Sequence, residues 1–342
     1  MRVLQVMAGQ HHGGAETAFV DTVIALHKSG LQQEVIIRKN ASCSAILKAH
    51  NLPVLELPFR KLFDFTTRKS ISSKINLFQP DIVQTWMNRA SSFCPAGGFI
   101  QIGWFGGYYQ AKNYQNCQYL VGVTPDICQH QEALGWPKSK VKVLRTFSHQ
   151  VRSSPLKRSL FDTPEEAPLL LALARLHSKK GLDILLNALV QIPTAYLWIA
   201  GDGPLEKQLK ELTRTLGLND RVRFLGWRND RAALLATADI CVFPSRYEPF
   251  GTVMAEAWAH QIPLIAAASQ GPKAHIINEV NGLLVPIDNV EELIKSIQKV
   301  IRQPDLKASL IQGGLDTFNK DFTEQAIVNS YKMFYQQILK HS

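Results

Sequence analysis

The stretch "DICVFPSRYEPFGTVMAEAWAHQIPLIAA", residues 239–267, decides the fold. "DICVFPS" is a nearly continuous apolar run of strand length, "TVMAEAWAHQ" has apolar residues at helical spacing, and "IPLIAA" is a second apolar run. Strand, turn, helix and strand in that order make a crossover unit of a parallel sheet, whose strands are covered on both faces. The Pro-Phe-Gly turn between strand and helix is flanked by two carboxylates, Glu248 and Glu256, in a chain whose net charge is +10.

The same alternation extends in both directions. Toward the C-terminus comes "GLLVP". Toward the N-terminus lie "LLLALARL", "AYLWIAGDG" and "RVRFLGW", separated by helical patterns such as "GLDILLNALVQI". A first series, "RVLQVM", "EVIIR", "PVLEL", "DIVQTW" and "YLVGVT", alternates with segments such as "GAETAFVDTVIALHKSG". The two series are divided by "SHQVRSSPLKRSLFDTPEEAP", which is polar, contains prolines and has no clear period. At 342 residues the chain exceeds the size at which one core stops growing. The expected architecture is α/β, with two doubly wound Rossmann-like domains facing a cleft, over residues 1–150 and 151–323. The last helix, at about 324–342, is free to pack back on the first domain.

Composition narrows the function. Hydrophobic residues at 46% and charged residues at 19% describe a globular chain. No apolar run reaches the roughly 18 residues of a membrane span, and the N-terminal apolar segment is too short for a secretion signal, so a cytoplasmic location is expected. Five scattered cysteines form no CxxC pair and read as reduced thiols. The charge is uneven: residues 1–150 hold 16 Lys and Arg against 8 Asp and Glu, leaving +8 on the first half and +2 on the rest. Nucleic acid, anionic lipid or an anionic glycolipid would each satisfy that charge. There is no GxxxxGK[ST] loop, GxSxG elbow, Asp-x-Asp pair or metal-ligand histidine spacing.

A strand-turn-helix unit leaves the first helical amides unpaired and partly positive, which suits a phosphate, and Gly251 lets that backbone come close. Carboxylates accept several hydrogen bonds from neutral hydroxyls. Glu248 and Glu256 on either side of an anion site therefore describe a ligand with hydroxyls at both ends and phosphates between them, a nucleotide sugar. A helix cap and a surface ion pair would look the same in sequence. A second constellation, "ARLHSKKG", sets Arg175 at a strand end and Lys180 just before a helix, two cations suited to a diphosphate or to a solvated loop.

Together, "ARLHSKKGLDILLNAL", "WIAGDGPLEKQL", "RVRFLGW", "PSRYEPFGTVMAEAWAHQIPLIAA" and "GLLVP" resemble the C-terminal half of the retaining glycosyltransferases of family 4, which have the GT-B fold. The match spans about 169–288, and "GGAE" at residues 13–16 extends it loosely to the first half. The resemblance implies a glycosyltransferase with a nucleotide-sugar co-substrate and no obligatory metal or other cofactor. Arg175 and Lys180 would hold the donor diphosphate, Glu248 the sugar hydroxyls and Glu256 the ribose. Phe250, Gly251, Thr252 and Val253 form the turn that approaches sugar and phosphate. Gly226 and Trp227 lie where the base is met, Gly13 and Gly14 in a loop closing on the donor phosphate, and Gly201 to Gly203 in a structural turn. Many members carry a histidine where this chain reads "GWFGGYYQAKNY". Either Tyr108 or Tyr109 then serves the acceptor, or the site is built differently. His11 and His12 lie beside the glycine loop.

Residues 59–78 interleave Arg60, Lys61, Arg68, Lys69 and Lys74 with Phe59, Leu62, Phe63 and Phe65. That composition suits anionic lipid headgroups, hence a peripheral protein reaching a lipid-linked or lipopolysaccharide-type glycan, and equally suits the solvated side of a core-facing helix. A GT-B phosphorylase or epimerase and a nucleic-acid-binding protein are the alternatives, the latter without a recognition motif.

Overall fold

The computed structural model describes residues 1–10, 13–60, 64–148 and 153–340. The chain forms two compact units, Met1–Phe147 with Glu324–Ser342, and Ser148–Thr323.

The first unit holds seven strands: β1 (Arg2–Met7), β2 (Gln32–Arg38), β3 (Val54–Leu57), β4 (Ile82–Trp86), β5 (Ile100–Phe105), β6 (Tyr119–Gly122) and β7 (Val141–Val143). Their order is β3-β2-β1-β4-β5-β6-β7 and every pairing is parallel. Two of these, β5 and β7, were not expected from the pattern. Gln101 and Gly103 interrupt the apolar run of β5, and β7 is a three-residue edge strand without a fully buried position. Gly103 has a packing reason: a Cβ there would stand 2.5 Å from the ring of Tyr114, which is buried and stacks on Phe105 at 4.1 Å.

The helix Glu324–Lys340 belongs to this unit, although it is last in the chain. Its anchor is polar as well as apolar. Tyr335 Oη donates to Gln84 Oε1 of β4 at 2.6 Å, and Lys332 Nζ donates to the Ser29 carbonyl at 2.6 Å. Gln5 of β1 accepts from Trp86 Nε1 at 2.9 Å and donates to Gln33. The Gln5 amide is tolerated in a central strand because both its oxygen and its nitrogen find partners; an unmet buried polar group costs about 1–3 kcal/mol.

The second unit holds β8 (Leu169–Leu173), β9 (Tyr196–Ala200), β10 (Val222–Gly226), β11 (Ile240–Phe243), β12 (Leu264–Ala267) and β13 (Leu283–Val285), again all parallel. The order β10-β9-β8-β11-β12-β13 is that of a doubly wound dinucleotide fold, with its reversal between β8 and β11. The two-residue period of a strand divides β8 between the faces. Leu170 and Ala172 enter one core, while Leu169, Leu171 and Leu173 enter the other. Each buried leucine contributes about 2 kcal/mol, so the strand holds both layers of helices to the sheet.

The unpatterned segment after residue 148 lies within this unit. Arg158 fastens it, donating to the carbonyls of Glu165, Ala167 and Thr237 and pairing with Asp239 at 3.0 Å. Among the described residues no helix is long and apolar enough to cross a membrane.

Candidate functional site

In an open parallel sheet, ligands meet the carboxyl ends of the strands where the order reverses, because the connections there part to opposite faces. In the second unit that place is the exit of β8 beside the exit of β11. After β8 the chain runs through Arg175 to a single turn, Ser178–Lys180, and then into the helix Leu182–Val190 through Gly181. After β11 it runs through Ser245 and Glu248 to Gly251, which caps the helix Thr252–Ala259.

The two exits are joined closely. Tyr247 N donates to the Lys179 carbonyl at 3.2 Å, and Lys179 Nζ sits 4.7 Å from the centre of the Tyr247 ring. Lys180 Nζ donates to Glu248 Oε2, the side chains lying 68 positions apart in sequence. Gly181 permits this approach, with φ +61 and a would-be Cβ only 2.1 Å from the Pro244 carbonyl oxygen. Arg175 is exposed, and its guanidinium makes no hydrogen bond or ion pair among the described residues. The turn carrying Arg175 rests on Gly201 and Gly203, where a Cβ would meet the Ala174 and Leu176 carbonyl oxygens at 2.0 and 2.5 Å.

Gly251 has φ +85 and is buried. Thr252 and Val253 open the helix that Gly251 caps, so their amides are among the first of the helix, which have no intrahelical partner. Phe250 packs edge-on to His275 at 5.4 Å, with Gly271 beneath it. A Cβ on Gly271 would stand 2.5 Å from the Phe250 carbonyl oxygen, and its amide donates to the Glu248 carbonyl at 2.7 Å. Two buried hydroxyls close by, Ser245 Oγ after β11 and Ser269 Oγ after β12, find no partner among the described residues. They are hydrogen-bonding capacity left for a water or a ligand.

Glu256 lies within the helix at 17% exposure and pairs with Arg231 Nη2 at 2.6 Å. Burial pushes its carboxyl above the ordinary range, while Arg231 and His260 pull against that rise. Arg231 opens the helix Arg231–Thr237, on the connection that leaves β10 through Gly226. Gly226 has φ +65 beside an irregularity in the β9–β10 register, with open space where a Cβ would be, so conformation and not crowding requires glycine there. Trp227 is 71% exposed, its Nε1 donating to Asn229 Oδ1 at 3.1 Å. The fold thus brings Lys180, Glu248 and Gly251 together, and ties Glu256 to the β10 connection through Arg231. The sequence reading missed Arg231 because nothing in its spacing links it to Glu256.

The first unit carries the other candidates. Gly13 caps the helix Gly14–Lys28 in extended backbone, φ −167, and its own crowding comes from Glu16, whose carboxylate would stand 2.7 Å from a Cβ. A Cβ on Gly14 would meet nothing within 4 Å. His11 and His12 lie outside the described residues. Beyond β5, Tyr108 Oη donates to Asp126, and its ring stands edge-on to His130 at 5.3 Å. The Tyr109 carbonyl accepts from Gln131 Nε2 at 3.0 Å. Asp126 and His130, both on the helix Pro125–Ala133, were not anticipated; Thr124-Pro125 marks the helix start but not which face meets Tyr108.

The basic segment is divided. Lys61, Leu62 and Phe63 lie outside the described residues. Asp64 caps the helix Phe65–Phe78, accepting from the Thr67 amide at 2.9 Å; burial would raise its carboxyl, but together the hydrogen bonds from Thr67, the Arg60 amide and Thr66 bring it down to about 2. Phe59 is fully buried, Arg68 donates to the Ser92 carbonyl, and Lys74 pairs with Glu34. Phe65 and Leu77 stand out at 76% and 79% exposure. Among the described residues no group of three or more His, Cys, Asp or Glu side chains could hold a metal ion.

Residues 155–316 match the family model described as glycosyl transferases group 1. The lipopolysaccharide core biosynthesis glycosyltransferase LpsD of Rhizobium meliloti (strain 1021) is 34% identical over 335 residues, covering 97% of each chain. LpsE of the same organism, with the same description, is 32% identical over 93% of this chain and 94% of its own. Among solved structures, Anabaena Alr3699/HepE in complex with UDP superposes with a TM-score of 0.85 at 20% identity, over 98% of this chain and 100% of that one. That likeness and the two sheet orders give the GT-B fold.

Proposed function

This chain belongs to the glycosyl transferases group 1 family, and we propose that it transfers a sugar from a nucleotide-sugar donor to an acceptor hydroxyl with retention at the anomeric carbon. The observation that carries this reading is the contact of Lys180 with Glu248 at the reversal between β8 and β11. It sets a cation for phosphate against a carboxylate for sugar hydroxyls, with the free amides of Thr252 and Val253 alongside.

In the proposed reaction the bond between the anomeric carbon and the leaving phosphate oxygen breaks as the acceptor oxygen bonds to the same face. The acceptor proton passes to the leaving diphosphate. The protein's part is positioning and electrostatic: Arg175 and Lys180 meet the negative charge that grows on the diphosphate, where it is worth most. Glu248 accepts from sugar hydroxyls and Glu256 from the ribose, while Gly226 and Trp227 border the base. No metal is required in this scheme, because the two cations and the helix amides supply the positive charge.

The names of the relatives direct the acceptor toward a lipopolysaccharide core glycan. A glycolipid acceptor fits a cytoplasmic protein resting on anionic headgroups through the helix Phe65–Phe78, where Phe65, Lys69 and Leu77 are exposed. The test is a thermal-shift screen of UDP-, ADP- and GDP-sugars, followed by product analysis with the best donor and a truncated core glycan. UDP-sugars come first, because the structural neighbour holds UDP. Transfer with inversion, or no release of nucleoside diphosphate in the presence of any acceptor, would sink the reading.

A further inference from the structure

Arg246 lies two residues before Glu248, and its guanidinium is shared among three segments of the second unit. Nη1 donates to the Ser178 carbonyl at 2.7 Å and to Asp183 Oδ1 at 2.9 Å. Nη2 donates to Asp183 Oδ2 at 2.6 Å, and Nε to Asp288 Oδ1 at 2.6 Å. Ser178 begins the turn that ends in Lys180, Asp183 lies in the first turn of the helix Leu182–Val190, and Asp288 follows β13. Four of the five guanidinium donors are thus committed, in a planar fork that a lysine ammonium cannot reproduce. Burial would raise the Asp183 carboxyl, but the hydrogen bonds and charge of Arg246 hold it below its ordinary range.

We infer that Arg246 is a positioning residue: it holds the Lys180 turn and the Glu248 loop at the separation the donor requires, without touching the donor. The inference rests on the nucleotide-sugar reading of this site. When a diphosphate engages Lys180 and sugar hydroxyls engage Glu248, their mutual contact is given up. The bonds of Arg246 use neither group, so they persist with the site occupied and keep the two loops from drifting apart. The hydrogen bond that the Tyr247 amide donates to the Lys179 carbonyl joins the same two loops and depends on the same alignment.

The test uses the full chain with Arg246→Met, Arg246→Lys, Asp183→Asn and Asp288→Asn. Amide exchange is followed over residues 177–181 and 245–250, and kcat and KM are measured with whichever of UDP-glucose, UDP-N-acetylglucosamine, GDP-mannose or ADP-glucose the wild type uses. Arg246→Met should speed exchange in those two segments and around its other partners, Asp183 and Asp288, and lower kcat about a hundredfold, the scale of a misplacement near 1 Å. Arg246→Lys should recover only part of that loss, and each aspartate variant should lose less. Adding Lys180→Ala to Arg246→Met should slow turnover little beyond Lys180→Ala alone, because the two act as one unit. Unchanged exchange in Arg246→Met, or losses that multiply in the double variant, overturns the inference. If the wild type turns over none of the four donors while the exchange contrast appears, the fastening by Arg246 stands and the nucleotide-sugar reading fails. Should Arg246→Met not fold, the two aspartate variants carry the same comparison.

Discussion

Lys180 and Glu248 form an ion pair across the exits of two adjacent parallel strands, 68 residues apart in the chain. Both side chains are partly buried, Lys180 at 24% and Glu248 at 15% exposure. A carboxylate and an ammonium held in contact there are already placed for a ligand that is anionic at one point and hydroxylated at the next. Binding of such a ligand exchanges their mutual contact for contacts with it.

Lys180→Ala should leave the fold intact and lower kcat about a hundredfold, in line with the roughly 3 kcal/mol that one contact to developing charge contributes in a transition state. Steady-state turnover and a circular dichroism melt decide it. Near-normal turnover in a folded variant would count against any role for Lys180 at the leaving group.

Glu256 makes a pH-dependent contribution whose sign follows from its burial. Its folded-state pKa lies above the unfolded value near 4.5, so between the two the folded chain binds the extra proton. Stability from this group is therefore present below about pH 4.5 and is lost as pH rises through the folded-state value. Glu256→Gln should consequently match or exceed the wild-type Tm at pH 7.5, and lose that relative gain at pH 4. Nucleotide affinity should fall about tenfold in the same variant, the scale of one lost hydrogen bond to a charged group. A Tm several degrees lower at pH 7.5 would show that the Arg231 pair outweighs the burial cost.

Two glycines with positive φ should differ in tolerance. Gly226→Ala meets open space and carries only the left-handed backbone cost of about 1–2 kcal/mol. Gly181→Ala carries that cost together with a collision against the Pro244 carbonyl. The expected order in urea melts is wild type, then Gly226→Ala, then Gly181→Ala, with the last at least twice as destabilised as the second. Equal losses would mean that the β11 exit moves freely, contrary to the close joining of the two loops.

Phe65→Ser with Leu77→Ser should not change Tm, because both side chains are solvent-exposed. If the helix Phe65–Phe78 rests on headgroups, the double variant should sediment several-fold less with phosphatidylglycerol vesicles than the wild type. Equal sedimentation of the two proteins would move the contact away from this helix.

Much of the second unit could be read from local pattern. All six strands there were apparent, five of them as apolar runs, because a strand covered on both faces has little room for polar residues; the sixth, the edge strand β10, carries Arg223. The glycine at 251 and the acidic residues around it were visible for the same local reason: a left-handed cap and a carboxylate are choices made within one turn. In the first unit β5 escaped notice. Its glycine exists for the ring of Tyr114, which only the folded chain brings near.

Residue type and spacing alone determined that β8 and β11 each end in a loop carrying chemistry, with Arg175 and Lys180 in one and Glu248 and Gly251 in the other. Which loops meet was decided by strand order. The reversal between β8 and β11 sets Lys180 against Glu248, the Arg231 helix reaches Glu256, and Arg246 fastens itself to Ser178, Asp183 and Asp288. Those pairings depend on sheet assembly over tens of residues. No single segment contains the partner that its charged side chains will find.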